Sequence, residues 1–276
     1  MCQVRLVRII VLFTQVYVFS TMLGIACVAR AYAGAWPMEK GKGQSISTFT
    51  WQGGMHGFDR HGKARVDLSF QKYENAIFME YGLTEKWTVV ARPAVQNVRL
   101  RFEDVVDQAK GLGATELSLR RALPGWKKWV LSAQAGSFIP GSVENGFDKP
   151  LGQSGLDWEV RALAGRSLNM AGRHGFVDLQ LAFRERSGGS GNEIRLDTTL
   201  GSQITRRMQV HLQSNIVVGL PSSRPDIRTV DSFKAQASAV WFFRRKTGVQ
   251  LSLSRTLTGR NVVRDSGLTL GFWQRF

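Results

Sequence analysis

The side chains in this chain that could do chemistry are few and mostly charged. His56 and His61 share one polar stretch with Asp59, and the three could make a weak metal site. Such spacing is common in polar loops, so the pattern predicts a loop, with no metal and no other cofactor. His211 and Ser214 stand three apart in a segment of period two, which places them on opposite faces, out of reach of a shared proton. Acidic side chains facing arginines could imitate a protease site, but interlocking charges are the commoner arrangement, and no catalytic residue is expected. Gly188-Gly189-Ser190-Gly191 lacks the lysine and the following helix of a phosphate-binding loop. What remains is a set of polar side chains recurring at every second position: Asp157, Glu159 and Arg161, Asp178 and Arg184, Arg195 and Asp197, His211, Lys234 and Gln236, with Arg120 earlier. Charges of both signs on one face can lock one another in ion pairs, or they can line an aqueous path and select solutes by charge.

The elements that carry these residues read as strands. Leu156, Trp158, Val160, Ala162 and Ala164 alternate with Asp157, Glu159 and Arg161, and Val177, Leu179, Leu181 and Phe183 alternate with Asp178, Gln180 and Arg184. Twelve such segments follow one another, at about 44–52, 65–83, 87–102, 113–123, 128–140, 154–167, 174–186, 192–204, 208–220, 232–244, 248–258 and 266–276. Most match or exceed the ~9–11 residues with which a tilted strand crosses a bilayer. Connectors alternate in length. Short ones at 84–86, 124–127, 168–173, 205–207 and 245–247 are interleaved with longer ones at 53–64, 103–112, 141–153, 187–191, 221–231 and 259–265, most of them rich in Gly, Pro, Ser and Asp. A soluble sandwich also has many strands, but it gives no reason for every second connector to be short. Short turns at one end and loops at the other are the layout of a membrane barrel, with the polar face lining the lumen.

Two places resist the pattern. The strand over 65–83 shifts phase between Phe70 and Ile77, which predicts a bulge. Pro93 interrupts the next strand and demands a bulge or a bend, because proline cannot donate to a ladder. Trp87, Trp126, Trp129, Phe176, Trp241, Phe242, Phe243, Trp273 and Phe276 gather at the short-turn ends and predict an aromatic girdle there. Phe49, Trp51, Phe138 and Trp158 form part of the opposite one.

The beginning of the chain reads differently. Arg5 and Arg8 precede an apolar run from Ile9, and small residues follow to Ala35, the three parts of a secretory signal. Residues 1–35 are thus expected to be removed, with cleavage after Ala31, Ala33 or Ala35; an uncleaved N-terminal anchor is the other reading. The only cysteines, Cys2 and Cys27, lie in that segment, so residues 36–276 form one domain without disulfides. With 37 Lys and Arg against 21 Asp and Glu the chain carries +16, and loss of Arg5, Arg8 and Arg30 leaves about +13. For an exported chain this excludes nucleic acid and favours anionic lipid or anionic solutes.

The chain ends on Gly267-Leu-Thr-Leu-Gly-Phe-Trp-Gln-Arg-Phe276, a strand with an apolar face. It resembles the C-terminal assembly signal of bacterial outer-membrane barrels, matching it at Thr269, Gly271 and Phe276 and departing from it at Gln274, where an aromatic is usual. Residues 36–276 are also similar to proteobacterial outer-membrane barrels linked to transport in the phenol meta-cleavage pathway, through the turn Glu80–Trp87 and the stretch Gly113-Ala-Thr-Glu116. The resemblance implies an all-β fold, a transmembrane antiparallel up-and-down barrel of about twelve strands in the bacterial outer membrane, with a transport role. Gly271 and Phe276 would be read by the barrel-assembly machinery, and outer-membrane lipid and lipopolysaccharide would surround the wall. The expected function is passive passage of small solutes, anions preferred. A closed structural barrel whose loops bind lipopolysaccharide or a partner is the alternative, and an outer-membrane hydrolase is the third.

Overall fold

The computed structural model describes residues 34–141, 155–170, 172–187, 191–221 and 229–276. In them the alternating segments form β1 (Gly43–Phe58), β2 (Ala64–Gly82), β3 (Trp87–Arg92), β4 (Ala94–Phe102), β5 (Val105–Leu112), β6 (Thr115–Trp126), β7 (Trp129–Ile139), β8 (Asp157–Met170), β9 (Arg173–Glu185), β10 (Glu193–Gln203), β11 (Met208–Gly219), β12 (Asp231–Arg244), β13 (Thr247–Arg260), β14 (Val262–Val263) and β15 (Ser266–Arg275). Each named strand pairs antiparallel with its neighbours, and β15 lies between β13 and β1, which in turn pairs with β2. The sheet therefore closes. β3 with β4 makes one stave, β5 with β6 another, and β14 is a two-residue clip on β1, so the barrel has twelve staves. Closure leaves no row of unpaired backbone groups around the wall, which is what lipid demands.

Burial is inverted relative to a water-soluble protein. Leu181, Leu212 and Leu253 are 55%, 56% and 62% exposed on the outside, while Asp157, Asp178, Ser252 and Thr256 are each 1% exposed inside. A soluble sandwich with the same alternation would bury the leucines and expose the charges. This inversion separates the two folds that the sequence pattern left open.

The structure differs from the sequence expectation in several places. The residues 103–112, expected as a loop, include β5, which pairs with β4 from Val95↔Leu112 to Phe102↔Val105 around a turn at Glu103 and Asp104. The alternation there was masked by Asp, Gln and Lys on both faces. β1 runs on to Phe58, so the first loop shrinks to 59–63. β2 has no bulge between Phe70 and Ile77; the register with β1 is continuous from Gly43↔Tyr81 to Gly54↔Phe70 and shifts only beyond Gly54. The apparent change of phase arises because Phe70, Ala76 and Phe78 take the interior parity of Glu74 and Glu80. Pro93 does require an irregularity, and the opposite stave supplies it. Arg92 pairs with Glu116 but Val95 with Leu112, so three residues, 113–115, face two. The turns after β6 and β8 are tighter than expected, because β6 continues to Trp126 and β8 to Met170. The expected leader through Ala33 and most of the connectors 141–153, 187–191 and 221–231 lie outside the described residues.

The seam that closes the barrel pairs Gln44↔Arg275 through Gly53↔Ser266. It ends in a reciprocal pair, Gly43 N–H to the Phe276 carbonyl at 3.1 Å and Phe276 N–H to the Gly43 carbonyl at 2.9 Å. Deleting Phe276 removes both bonds and an outward aromatic that is 50% exposed. The expected outcome is a smaller fraction of heat-modifiable, folded protein in the outer membrane, read by the gel shift between unheated and boiled samples. An unchanged fraction would mean that assembly does not need the terminal ring.

Candidate functional site in the barrel interior

The alternation of β8 turns Asp157, Glu159 and Arg161 inward, and the neighbouring staves answer with opposite charges at the same height. Glu159 Oε1 accepts from Arg161 at 2.8 Å, and its Oε2 accepts from Arg184 of β9 at 2.7 and 3.0 Å. Arg161 crosses β9 to reach Asp197 of β10 at 2.6 Å. Arg195 binds Glu193 at 2.8 Å, Arg184 lies 3.7 Å from Glu193, and Asp157 takes Arg186 at 3.2 Å. A second group joins β2 to β6 and β7. There Arg120 donates to Glu80 at 2.7 Å and to Gln134 at 3.0 Å, and Gln134 donates to Glu116. On β2 itself Lys72 pairs with Glu74 at 2.7 Å, and Arg92 of β3 also holds Glu74. On the far wall Lys234 pairs with Asp265 at 2.7 Å, and Gln236 donates to Gln213 at 2.8 Å. These contacts link staves that are adjacent or one apart. Among the described residues none spans the barrel.

Every residue singled out from the sequence as facing the lumen has the interior parity: Arg120, Asp157, Glu159, Arg161, Asp178, Arg184, Arg195, Asp197, His211, Lys234 and Gln236. The ion pairs bring together Glu159, Arg161, Arg184, Arg195 and Asp197. They leave His211, Lys234 and Gln236 apart on β11 and β12. Sequence reasoning passed over Glu193, which shares the parity of Arg195, and Glu80, Glu116 and Gln134. The alternation that found the others would have found these.

A second layer sits at the short-turn end and is built from chain that precedes β1. Gly34 to Lys40 runs inside the wall. Ala35, fully buried, donates its N–H to Asp178 at 2.7 Å and accepts from the Ser132 hydroxyl at 2.7 Å. Met38 N–H donates to Thr88 at 3.0 Å, and Lys40 bridges to Gly82 of β2. The Trp36 ring fills the place of a missing side chain at Gly165 and meets Phe176 edge-on at 6.1 Å. From there ring contacts continue around the opposite wall. Phe176 meets His211 at 5.7 Å, His211 meets Trp273 at 6.3 Å, and Trp273 meets Phe242 at 6.1 Å. Gly201 leaves room for the Phe176 ring, which a side chain there would strike.

This corrects the expected girdles. Phe176, Phe242 and Trp273 point into the barrel, as does Phe138, over which Arg184 stacks at 3.6 Å. Their parity with Asp178, Ser238, Thr269 and Gln134 carried that information, but a ring near a strand end reads as an interface anchor when position alone is considered. Trp126, Trp241 and Phe243 keep their outward places, as do Phe49, Trp51 and Trp158 at the other end.

The His and Asp residues of the first loop have local roles. Asp59 accepts the backbone N–H of Lys63 at 2.9 Å and of His61 at 2.7 Å, and pairs with Arg65 at 2.5 Å. Those bonds, the Lys63 amide first, hold its carboxyl down at about 2. His56 lies 3.5 Å from Asp67 instead of turning to Asp59. Among the described residues no group of three such ligands could hold a metal ion. His211 faces inward, and Ser214, three positions on, lies on the opposite face.

No protein-family model and no curated protein sequence matches the chain. By structure it is similar to the COG4313 outer membrane channel from Pseudomonas putida F1, with a TM-score of 0.71 and 14% identity over 91% of this chain and all of that one. It is also similar to the β domain of the Bordetella autotransporter Brka, with a TM-score of 0.51 and 10% identity over 86% of this chain and all of that one. The translocator domain of the autotransporter NalP from Neisseria meningitidis gives a TM-score of 0.50 and 12% identity, covering 85% of this chain and 88% of that one. Together with the closed sheet and the inverted burial, this makes the chain a twelve-stranded antiparallel β-barrel of the bacterial outer membrane.

Proposed function

We propose that the barrel is a passive channel for small solutes, with small anions preferred, and that in a chain cleaved after Ala31 or Ala33 residues 34–40 narrow it at the periplasmic end. The observation that carries this reading is the direction of the ion pairs. Among the described residues they run along the wall between staves that are adjacent or one apart. Among the contacts that hold the narrowing are hydrogen bonds from Ala35 to Asp178, Ser132 to Ala35 and Met38 to Thr88, with the bridge of Lys40 to Gly82 and the packing of Trp36 beside them. Each of the hydrogen bonds contributes about 0.5–1.5 kcal/mol net. The preference for anions is supported by the net charge of about +13 that remains after loss of Arg5, Arg8 and Arg30 from +16. It is opposed by the pairing of Arg161, Arg184 and Arg195 with carboxylates, which removes most of their field. The structural similarity to the COG4313 outer membrane channel supports a channel and names no solute. Catalysis is not part of the proposal: Ser238, which stands opposite His211 in register, is bonded to Gln213 and Gln236.

Conductance in planar bilayers tests the reading. The mature chain should conduct weakly, and deleting 34–40 should raise unit conductance several-fold. A salt gradient should give a reversal potential on the anion side, which Arg161→Gln with Arg195→Gln shifts toward cations. Absence of conductance in both the full chain and the deletion would replace the channel by a closed structural barrel. Cation preference in the unaltered chain would remove only the charge argument. Lipopolysaccharide and the barrel-assembly machinery are proposed contacts of the outer wall and of the C-terminal strand.

A further inference from the structure

The short turn after β10 and the short turn after β12 lie on either side of a cavity of about 680 Å³ at the periplasmic rim. Five arginines line it: Arg206, Arg207, Arg244, Arg245 and Arg275. No Asp or Glu is among its lining residues; the polar remainder is Gln203 and Gln209. Among the described residues, Arg206, Arg207, Arg244 and Arg245 make no ion pair. Arg275 is already engaged, its guanidinium 4.6 Å over the Phe242 ring. This differs from the barrel interior, where the other arginines sit within hydrogen-bond reach of a carboxylate.

The position of the cluster is fixed by backbone, not by chance. Phe242 N–H donates to the Arg207 carbonyl at 2.7 Å, and Arg275 N–H donates to the Lys246 carbonyl at 2.8 Å. The Thr205 hydroxyl caps the first turn by accepting from Arg207 N–H at 3.3 Å and Met208 N–H at 3.0 Å. Both turns are thus stitched to the next stave, which holds the backbones that carry the four exposed arginines side by side. Like charges held around one concavity repel, and an anion of matching valence relieves that repulsion. A guanidinium offers a planar fork of donors that suits the oxygens of a phosphate group better than a point charge does.

We propose that this cavity binds a multiply charged phosphate group from the periplasmic side. The group is carried either by a soluble phosphate compound or by the headgroup of an anionic phospholipid in the inner leaflet. The proposal goes beyond the channel reading and holds whether or not the lumen conducts, because its arginines stand on the turns and neither Trp36 nor Phe176 lines the cavity.

The test uses the folded full-length mature barrel in neutral detergent, with inorganic pyrophosphate as the probe and calorimetry at low ionic strength as the readout. The expected result is saturable binding of one pyrophosphate per chain, weakened by added salt. The variant Arg206→Gln/Arg207→Gln/Arg244→Gln/Arg245→Gln should lose it by about tenfold or more. A control carrying Arg99→Gln/Arg101→Gln, at the other end of the barrel, should bind as the unaltered chain does. A gel-shift check confirms that all three are folded. In a second arm the proteins are extracted from vesicles of phosphatidylcholine with or without phosphatidylglycerol, and retained lipid is counted by native mass spectrometry. Pyrophosphate binding without retained phosphatidylglycerol assigns the site to soluble phosphates. Retained phosphatidylglycerol that pyrophosphate displaces, and that the fourfold variant loses, assigns it to the headgroup. Equal binding by the unaltered chain and the fourfold variant in both arms, or binding by neither, overturns the proposal.

Discussion

Replacing Glu159 by Gln is expected to destabilise the folded barrel by about 3–5 kcal/mol. Glu159 is 4% exposed and holds Arg161 with one carboxylate oxygen and Arg184 with the other. Glutamine keeps the volume and loses the charge. The two guanidiniums would then share a buried space with one fewer carboxylate, and a cation left unpaired at that depth costs far more than the net worth of the pair. Arg161 retains Asp197 and Arg184 retains the more distant Glu193, so the wall should still form. The measurement is the urea midpoint of unfolding in lipid vesicles. Adding Arg184→Gln to Glu159→Gln should recover part of the loss, because the repulsion disappears with the second charge. A midpoint unchanged by Glu159→Gln would mean that water in the lumen screens these charges as well as bulk solvent does.

The second large effect separates the two faces of one strand. Leu212 and Gln213 are adjacent on β11; Leu212 is 56% exposed on the outer surface and Gln213 points inward toward Gln236. Arginine at Leu212 places a charge in lipid near the middle of the wall, at about 2–4 kcal/mol. Arginine at Gln213 enters the polar interior, where Asp197 and Asn215 lie on the same face. The expected outcome is a marked loss of folded protein for Leu212→Arg and little loss for Gln213→Arg, compared as heat-modifiable fraction after refolding into vesicles. Similar losses for both would place β11 with its faces reversed or outside the membrane.

Much of this architecture is legible in the residues themselves. The runs around Asp157 to Ala164 and Val177 to Arg184 specify strands and the partition of side chains between two faces, because side chains alternate strictly along a strand. The short connectors mark which ends of the staves lie together. Pro93 announced an irregularity, since a missing N–H must be accommodated by the neighbouring stave. Other features were hidden. β5 carries polar residues on both faces, so period two leaves no trace in its composition. Phe70 and Phe78 imitate a change of phase because an interior that is otherwise polar accepts an occasional ring. Phe176 and Trp273 sit near strand ends, where an interface anchor and an interior ring have the same local signature.

The sequence by itself determined the strands, their approximate number and the two faces of each, because these depend on neighbours one and two positions away. Only the tertiary structure decided which carboxylate each arginine meets, and that the chain before β1 turns into the barrel. The physical reason is separation. Arg161 reaches Asp197 across an intervening stave, and Ala35 meets Asp178 from 143 positions away. Such contacts depend on the register of every stave between them and on the closure of the sheet, and neither is written in any local period.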